Sequence, residues 1–187
     1  SGFNVTGFVV WGITFKTGKF HATKNLFRDT IMLARIKYLT AGESHGKGLL
    51  GIIDNIPAGL EISEDYITHQ LFRRQQGHGR GGRMKIEKDH AEIYTGVRHG
   101  KSLGSPIGLI LPNKDFENWT TKMSPMPVEE EIKKVTLPRP GHADLAGVQK
   151  FDFDDIRNIL ERSSARETAM RVALASICRL LLREVGI

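Results

Sequence analysis

The chain has 187 residues, 40% of them apolar, a formal net charge of +6 and a pI near 9.5. That length suffices for one domain with its own core or for part of a larger one, and the charge favours anionic partners without choosing among nucleic acid, a membrane surface and an anionic metabolite. A single cysteine, Cys178, excludes an internal disulfide framework and fits a reducing compartment, and no apolar run is long enough to span a bilayer.

Residues 1–31 differ in character from the rest of the chain. Residues 7–15 are apolar enough for a short strand, but no basic region precedes them, so they make a poor signal peptide. Asn4-Val5-Thr6 fits a glycosylation sequon, a triplet that also arises by chance. This stretch reads as an extension without an assigned role, and more patterned sequence opens at Met32. Residues 35–40 alternate polar and apolar as a strand does, Gly42-Glu43-Ser44-His45-Gly46 is a tight loop, residues 49–54 form a second strand, and Ile56-Pro57-Ala58-Gly59 is a turn. Ser63 caps a helix predicted from Glu64 to about Gln75, with Ile67 and Leu71 on its apolar side.

Straight off that helix comes Arg73-Arg74-Gln75-Gln76-Gly77-His78-Gly79-Arg80-Gly81-Gly82-Arg83-Met84. Further on, residues 92–97 alternate with Ile93, Thr95 and Val97 on one face. Arg98-His99-Gly100-Lys101 turns, and residues 107–111 form an apolar strand that completes a hairpin. Residues 113–127 read as a loop, and residues 137–144 are too rich in proline and glycine to be regular. Asp152 can cap a short helix through Leu160. Ser164 and Glu167 make a capping box for a last helix, whose stripe is Met170, Ala173, Leu174, Ile177 and Leu181 and whose end is Gly186. Cys178 flanks that stripe as a small buried residue. No internal repeat or low-complexity tract is present.

Four clusters can carry chemistry, and each has a plainer reading. The arginine-glycine stretch is either a loop that closes on a polyanion or a solvated basic tether of the kind that binds RNA. His45, between glycines after a strand, is an acid near working pH or an exposed loop histidine. Residues 139–144 join a cation to a histidine in a segment stiffened by prolines, which suits a preorganised site or an ordinary loop. Arg162-Ser163-Ser164-Ala165-Arg166, at the expected start of the last helix, is an anion site or a simple cap. Arg98-His99-Gly100 matches the core triplet of histidine phosphatases, but sits in a hairpin turn rather than between a strand and a helix, so that match is discarded. No Walker-type loop, Rossmann fingerprint or zinc-ligand spacing is present, and no metal site is expected.

Together these clusters resemble chorismate synthase. Gly42-Glu43-Ser44-His45-Gly46, the loop from Arg73 to Met84, Arg139-Pro140-Gly141-His142-Ala143-Asp144 and Glu161-Arg162-Ser163-Ser164-Ala165-Arg166-Glu167-Thr168 occur in the order and spacing of that family, from about Met32 to Ile187. Asn113-Lys114-Asp115-Phe116-Glu117-Asn118-Trp119 fits as well, and His78 stands where many members carry tyrosine. The resemblance implies an α+β fold, a β-α-β sandwich incomplete in this chain, with residues 1–31 an extension and 32–187 the N-terminal part of the domain. Family members are roughly twice as long as the matched part, so the chain reads as an N-terminal fragment. On its own such a fragment is expected to be inactive.

The implied activity is conversion of 5-enolpyruvylshikimate 3-phosphate to chorismate, the last step of the shikimate pathway. It is an anti 1,4-elimination that needs reduced FMN without net redox change, with NADPH as a candidate reductant. By motif match, Ser44, Arg74, Arg80, Arg83, Arg139 and Arg166 hold the substrate and its anions. His45 serves the flavin as a proton donor or stabiliser, His142 is the acid to the departing phosphate, and Arg162, Ser163 and Ser164 contact FMN. The resemblance further implies a cytoplasmic homotetramer with no nucleic-acid or membrane partner. The alternative from another class is an RNA-binding module built on residues 73–84.

Overall fold

A computed structural model describes residues 35–76 and 88–187. The extension at residues 1–31, and the part of the arginine-glycine loop that holds His78, Arg80 and Arg83, lie outside the described residues. Strands β1 (Lys37–Gly42) and β2 (Gly48–Asp54) pair as an antiparallel hairpin. With β3 (Glu92–Thr95) and a later strand, β6 (Ile107–Pro112), they form a four-stranded antiparallel sheet in the order β1-β2-β6-β3. The two-residue strands β4 (Val97–Arg98) and β5 (Lys101–Ser102) close around His99 and Gly100, whose φ values of 51° and 74° suit a tight hairpin turn. Four helices complete the described fold: α1 (Glu64–Gln75), α2 (Asp144–Phe151), α3 (Arg157–Leu160) and α4 (Glu167–Glu184).

Side chains alternate across a strand, so Leu49 and Ile53 of β2 and Ile107, Leu109 and Leu111 of β6 share one face of the sheet. All five are buried, and Ile67 and Leu71 of α1 and Met170, Ala173, Leu174 and Ile177 of α4 complete the core. Ser63 caps α1 by accepting from the Tyr66 N–H at 3.1 Å, and Gly186 follows α4 with φ of 78°. Cys178 is half-buried beside this core, and burial pushes its thiol up, as for an unreactive packing residue. The opposite sheet face carries Leu39, Leu50 and Ile52, each at least half exposed. The described residues are therefore a sheet with helices on one face, an incomplete α+β sandwich. Among them no helix is long and apolar enough to cross a membrane.

Helix α4 packs against the sheet at Gly51, where an added Cβ would lie 2.4 Å from Met170 Sδ and 3.0 Å from Leu174 Cδ1. Overfilling a packed contact of this kind typically costs 1–3 kcal/mol. Gly51→Val is expected to lower the unfolding free energy by about that amount, read as a lower denaturant midpoint at constant slope. An unchanged midpoint would mean that Met170 and Leu174 repack without penalty.

Several local expectations need correction. Strand β1 starts and ends two residues later than the alternation suggested. In β3, Ile93 pairs with Leu109 and Thr95 with Gly108, so Tyr94 is an extra, bulged residue. The bulge turns Thr95 to the face opposite Ile93, and Val97 leaves for the small hairpin. The loop after β6 contains a 3-10 turn, Lys114–Asn118. Asp152 does not cap a helix; at φ 55° and ψ 45° it ends α2. Helix α3 starts after Ile156, and Asp155 before it accepts from the Arg157 N–H at 2.9 Å. Nor do Ser164 and Glu167 form a capping box. Helix α4 starts only at Glu167, Ser164 Oγ accepts from the Arg166 N–H at 3.3 Å, and the Glu167 carboxylate is taken by Thr40 at 2.5 Å and Arg171 at 2.8 Å.

Candidate active site

The hairpin tip at residues 43–47, the segment after β6 and the turn before α4 all meet at one end of the sheet. The register that pairs Gly48 with Pro112 sets Asn113 beside the tip, and its N–H donates to the Lys47 carbonyl at 3.1 Å. Asn113 Nδ2 also donates to the carbonyls of Glu43 and Gly46 at 3.0 and 2.9 Å, clamping the loop from within. From the helical side comes Glu161, its side chain 1% exposed. Its carbonyl accepts from the Ser44 N–H at 2.9 Å, and its carboxylate accepts from the His45 N–H at 2.9 Å and contacts His45 Nδ1 at 2.8 Å. Arg157 donates to the same carboxylate at 3.2 Å. The His45 ring stacks on Trp119, with centroids 4.0 Å apart at 25°, and Trp119 Nε1 donates to Asp115 at 3.1 Å.

Four arginines surround this end. Arg166 is buried, its Nε donating to Asn113 Oδ1 at 2.9 Å and its Nη1 to Asp89. Arg74, at the C-terminal end of α1, lies 3.7 Å from the other Asp89 oxygen and donates to the Ala165 carbonyl at 3.0 Å and to Thr168 at 2.9 Å. Arg162 reaches back to the Thr40 carbonyl at 3.0 Å, and Arg157 lies 5.2 Å over the Trp119 ring. Thus the loop of Ser44 and His45 is tied through Asn113 to Arg166 and through Asp89 to Arg74, while Arg162 is held separately on Thr40.

Arg139, His142 and Asp144 form a second cluster. Asp144, fully buried at the start of α2, accepts from the Arg139 N–H at 2.9 Å and from Arg139 Nε at 3.1 Å, and it pairs with His142 Nδ1. Burial alone would push the Asp144 carboxyl up. The Arg139 hydrogen bonds, the His142 contact and the Arg139 charge outweigh it and hold the pKa at about 2, against an ordinary 3.8. A depressed carboxylate stabilises the fold fully above its unfolded value, and that contribution is lost as pH falls through the folded value. Wild type is therefore expected to lose stability on acidification between pH 3.8 and about 2 more steeply than Asp144→Asn, measured by denaturant unfolding at each pH. Parallel curves would contradict the coupling.

A cleft lies beside Arg162 and Ser163 of the turn before α4 and Ala143, the residue between His142 and Asp144. It has a volume of about 480 Å³, with Ala143, Ala146, Gly147, Phe151, Phe153 and Ile159 on its apolar walls and Asn158, Arg162 and Ser163 beside them. The candidate motifs contain no aromatic wall of this kind; Phe151 and Phe153 lie just outside them, with ring centroids 6.0 Å apart. The turn at 161–166, expected at the start of a helix, instead lies between α3 and α4. Sequence reasoning also missed Glu161 as a partner of His45, although it begins the Glu-Arg-Ser-Ser motif. Asp89 carries no motif at all. Arg80 and Arg83 lie outside the described residues.

A mixed α+β unit with arginines packed around a loop, two histidines each held by a buried carboxylate and an apolar cleft nearby has the features of a site for an anionic ligand. Comparison with known proteins gives it a family. The family profile described as chorismate synthase matches residues 36–187. Relatives described as chorismate synthase include one from Chlorobium limicola, 59% identical over 154 residues, covering 81% of this chain and 38% of the relative. One from Alkaliphilus metalliredigens is 59% identical over 151 residues, covering 81% and 40%, and one from Enterococcus faecalis 57% over 155 residues, covering 81% and 40%. A crystal structure of chorismate synthase superposes with a TM-score of 0.61 at 46% identity, covering 81% of this chain and 35% of that one. The chain belongs to the chorismate synthase family. It spans about two fifths of the length of the curated relatives it matches.

Proposed function

We propose that the full-length protein carrying this chain converts 5-enolpyruvylshikimate 3-phosphate to chorismate by anti 1,4-elimination of phosphate and a ring proton, the last step of the shikimate pathway, using reduced FMN with no net redox change. The observation that carries this reading is the convergence of two separated motifs onto the loop that bears Ser44 and His45, one through Asn113 and the other through Glu161 directly and through Arg166 on Asn113. A substrate with two carboxylates and a phosphate needs several fixed cations, and arginine forks hold such groups in orientation. Arg74 and Arg139 take that role, with Arg80 and Arg83 from the arginine-glycine loop. Arg166 joins them from beneath, held by Asp89 and Asn113. Ser44 orients the substrate from the loop. His142 gives a proton to the leaving phosphate, and His45 holds one on the cofactor side.

The apolar cleft fits the cofactor. Its volume lies in the range of ordinary ligand pockets, its aromatic walls suit a flat ring, and Arg162 and Ser163, with Ser164 beside them, suit an anionic tail. When bound, reduced FMN supplies an electron transiently to the substrate. Arg162 and the serines would hold it, and the cleft walls would keep water off its ring. We read NADPH as a candidate reductant, the assembly as a cytoplasmic homotetramer, and residues 1–31 as an extension outside the catalytic domain. The family match beginning at residue 36 supports that boundary. We expect residues 1–187 alone not to turn over substrate. Family membership lends nothing to an RNA-binding reading of residues 73–84.

Anaerobic titration of the full-length protein with reduced FMN tests the site. Saturable binding should appear in the presence of substrate, and Arg162→Ala should weaken it about tenfold or more, the loss of a charged hydrogen bond. RNA binding with a steep salt slope and no response to FMN would instead mark a nucleic-acid module.

A further inference from the structure

Both candidate histidines meet a buried carboxylate through the same ring nitrogen. His45 Nδ1 lies 2.8 and 3.0 Å from the two Glu161 oxygens, and His142 Nδ1 is hydrogen-bonded to Asp144 Oδ1. The carboxylates are 1% and 0% exposed, the histidines 23% and 24%. Each carboxylate also accepts from a backbone N–H of the loop that carries its histidine, Glu161 from His45 and Asp144 from Arg139, both at 2.9 Å. Ring and loop are thereby tied to one buried anchor. Each anchor faces an arginine, Arg157 at 3.2 Å from Glu161 and Arg139 at 3.1 Å from Asp144.

An ionised carboxylate accepts hydrogen bonds and cannot donate one, so the proton it faces sits on Nδ1. The other ring nitrogen, Nε2, then carries the lone pair that can take up and return a proton; at His45 it faces Asp115 Oδ2 at 3.7 Å, beyond hydrogen-bond distance. The ring planes are held too. His45 lies flat on Trp119 at 4.0 Å. Arg139 Nη2 is 3.1 Å from both nitrogens of His142, which lies over the ring face rather than along the Nε2 lone pair.

We propose that Glu161 and Asp144 are positioning residues that hold His45 and His142 as Nδ1–H tautomers and so make Nε2 the proton-carrying atom of each. The consequence for the reaction rests on the function proposed above; the tautomers themselves do not.

The test uses the full-length protein with 15N-labelled histidine, at a pH where the rings are neutral. The His45 and His142 signals are assigned by their loss in His45→Ala and His142→Ala. Both rings should show a protonated, pyrrole-type Nδ1 and a pyridine-type Nε2. Either ring resting with Nε2 protonated overturns the proposal, and this readout needs no carboxylate variant to fold. Glu161→Gln and Asp144→Asn should shift the corresponding ring toward the other tautomer. They should lower kcat about a hundredfold or more, as expected when a proton-transfer group is misoriented. KM should stay within about threefold for Glu161→Gln, and neither change should slow the matching histidine-to-alanine variant by more than about threefold. Full, additive losses in those backgrounds would mean that the carboxylates do not act through the histidines. Correct tautomers in a protein that releases no phosphate would support the assignment and count against the proposed function instead.

Discussion

Replacing His142 by alanine is expected to lower the turnover number of the full-length protein by about a hundred- to ten-thousandfold, with substrate binding changed by no more than about threefold. The expectation follows from how the ring is held. Its Nδ1 is occupied by a fully buried Asp144, its face is covered by Arg139, and the ring keeps 24% of its surface exposed. Such a group is fixed by the protein yet open to a substrate. Removing it takes away a proton donor needed only as the phosphate departs, an interaction absent from the ground state. Arg139 differs: half exposed and cationic, it meets an anion before and during the reaction. Arg139→Ala should therefore appear mainly in KM. A His142→Ala turnover within about threefold of wild type would remove His142 from the role of acid.

The second large effect concerns stability. Asp89→Ala is expected to lower the unfolding free energy by about 3–5 kcal/mol, the usual result of removing one partner from a buried ion pair. The Asp89 side chain is fully enclosed and faces two arginines, Arg166 within hydrogen-bond distance and Arg74 at 3.7 Å. Arg166 is itself buried and also holds Asn113, which clamps the loop of Ser44 and His45. The substitution leaves a buried guanidinium without that carboxylate and loosens the support of the loop. Denaturant unfolding of the full-length protein measures the loss. A change below about 1 kcal/mol, typical of an exposed pair, would show that water reaches the site.

Elements with a strong period were legible in the sequence. The helix capped by Ser63 and the apolar stripe of α4 stand where the pattern put them, because one face of each is buried and the other is not. Where a single residue decides the geometry, pattern reading failed. Tyr94 shifts the register of β3 as a bulge, and nothing in the alternation of residues 92–97 reveals it. Asp152 is a good helix starter by type, but it adopts the left-handed conformation that ends α2. Ser164 and Glu167 have capping-box spacing, yet Glu167 is drawn away by Thr40, 127 residues earlier. The motif residues were legible as a family pattern, whereas their partners were less so. Asp89 and the aromatic wall of Phe151 and Phe153 act through long-range packing, which leaves no local signature.

Phosphate release tests the proposed reaction most directly. Full-length protein carrying this chain is incubated anaerobically with reduced FMN and 5-enolpyruvylshikimate 3-phosphate, and inorganic phosphate and chorismate are both measured. The two products are expected in equal amounts, over many turnovers, only when reduced FMN is present. Folded protein that binds reduced FMN but forms neither product would contradict the assignment.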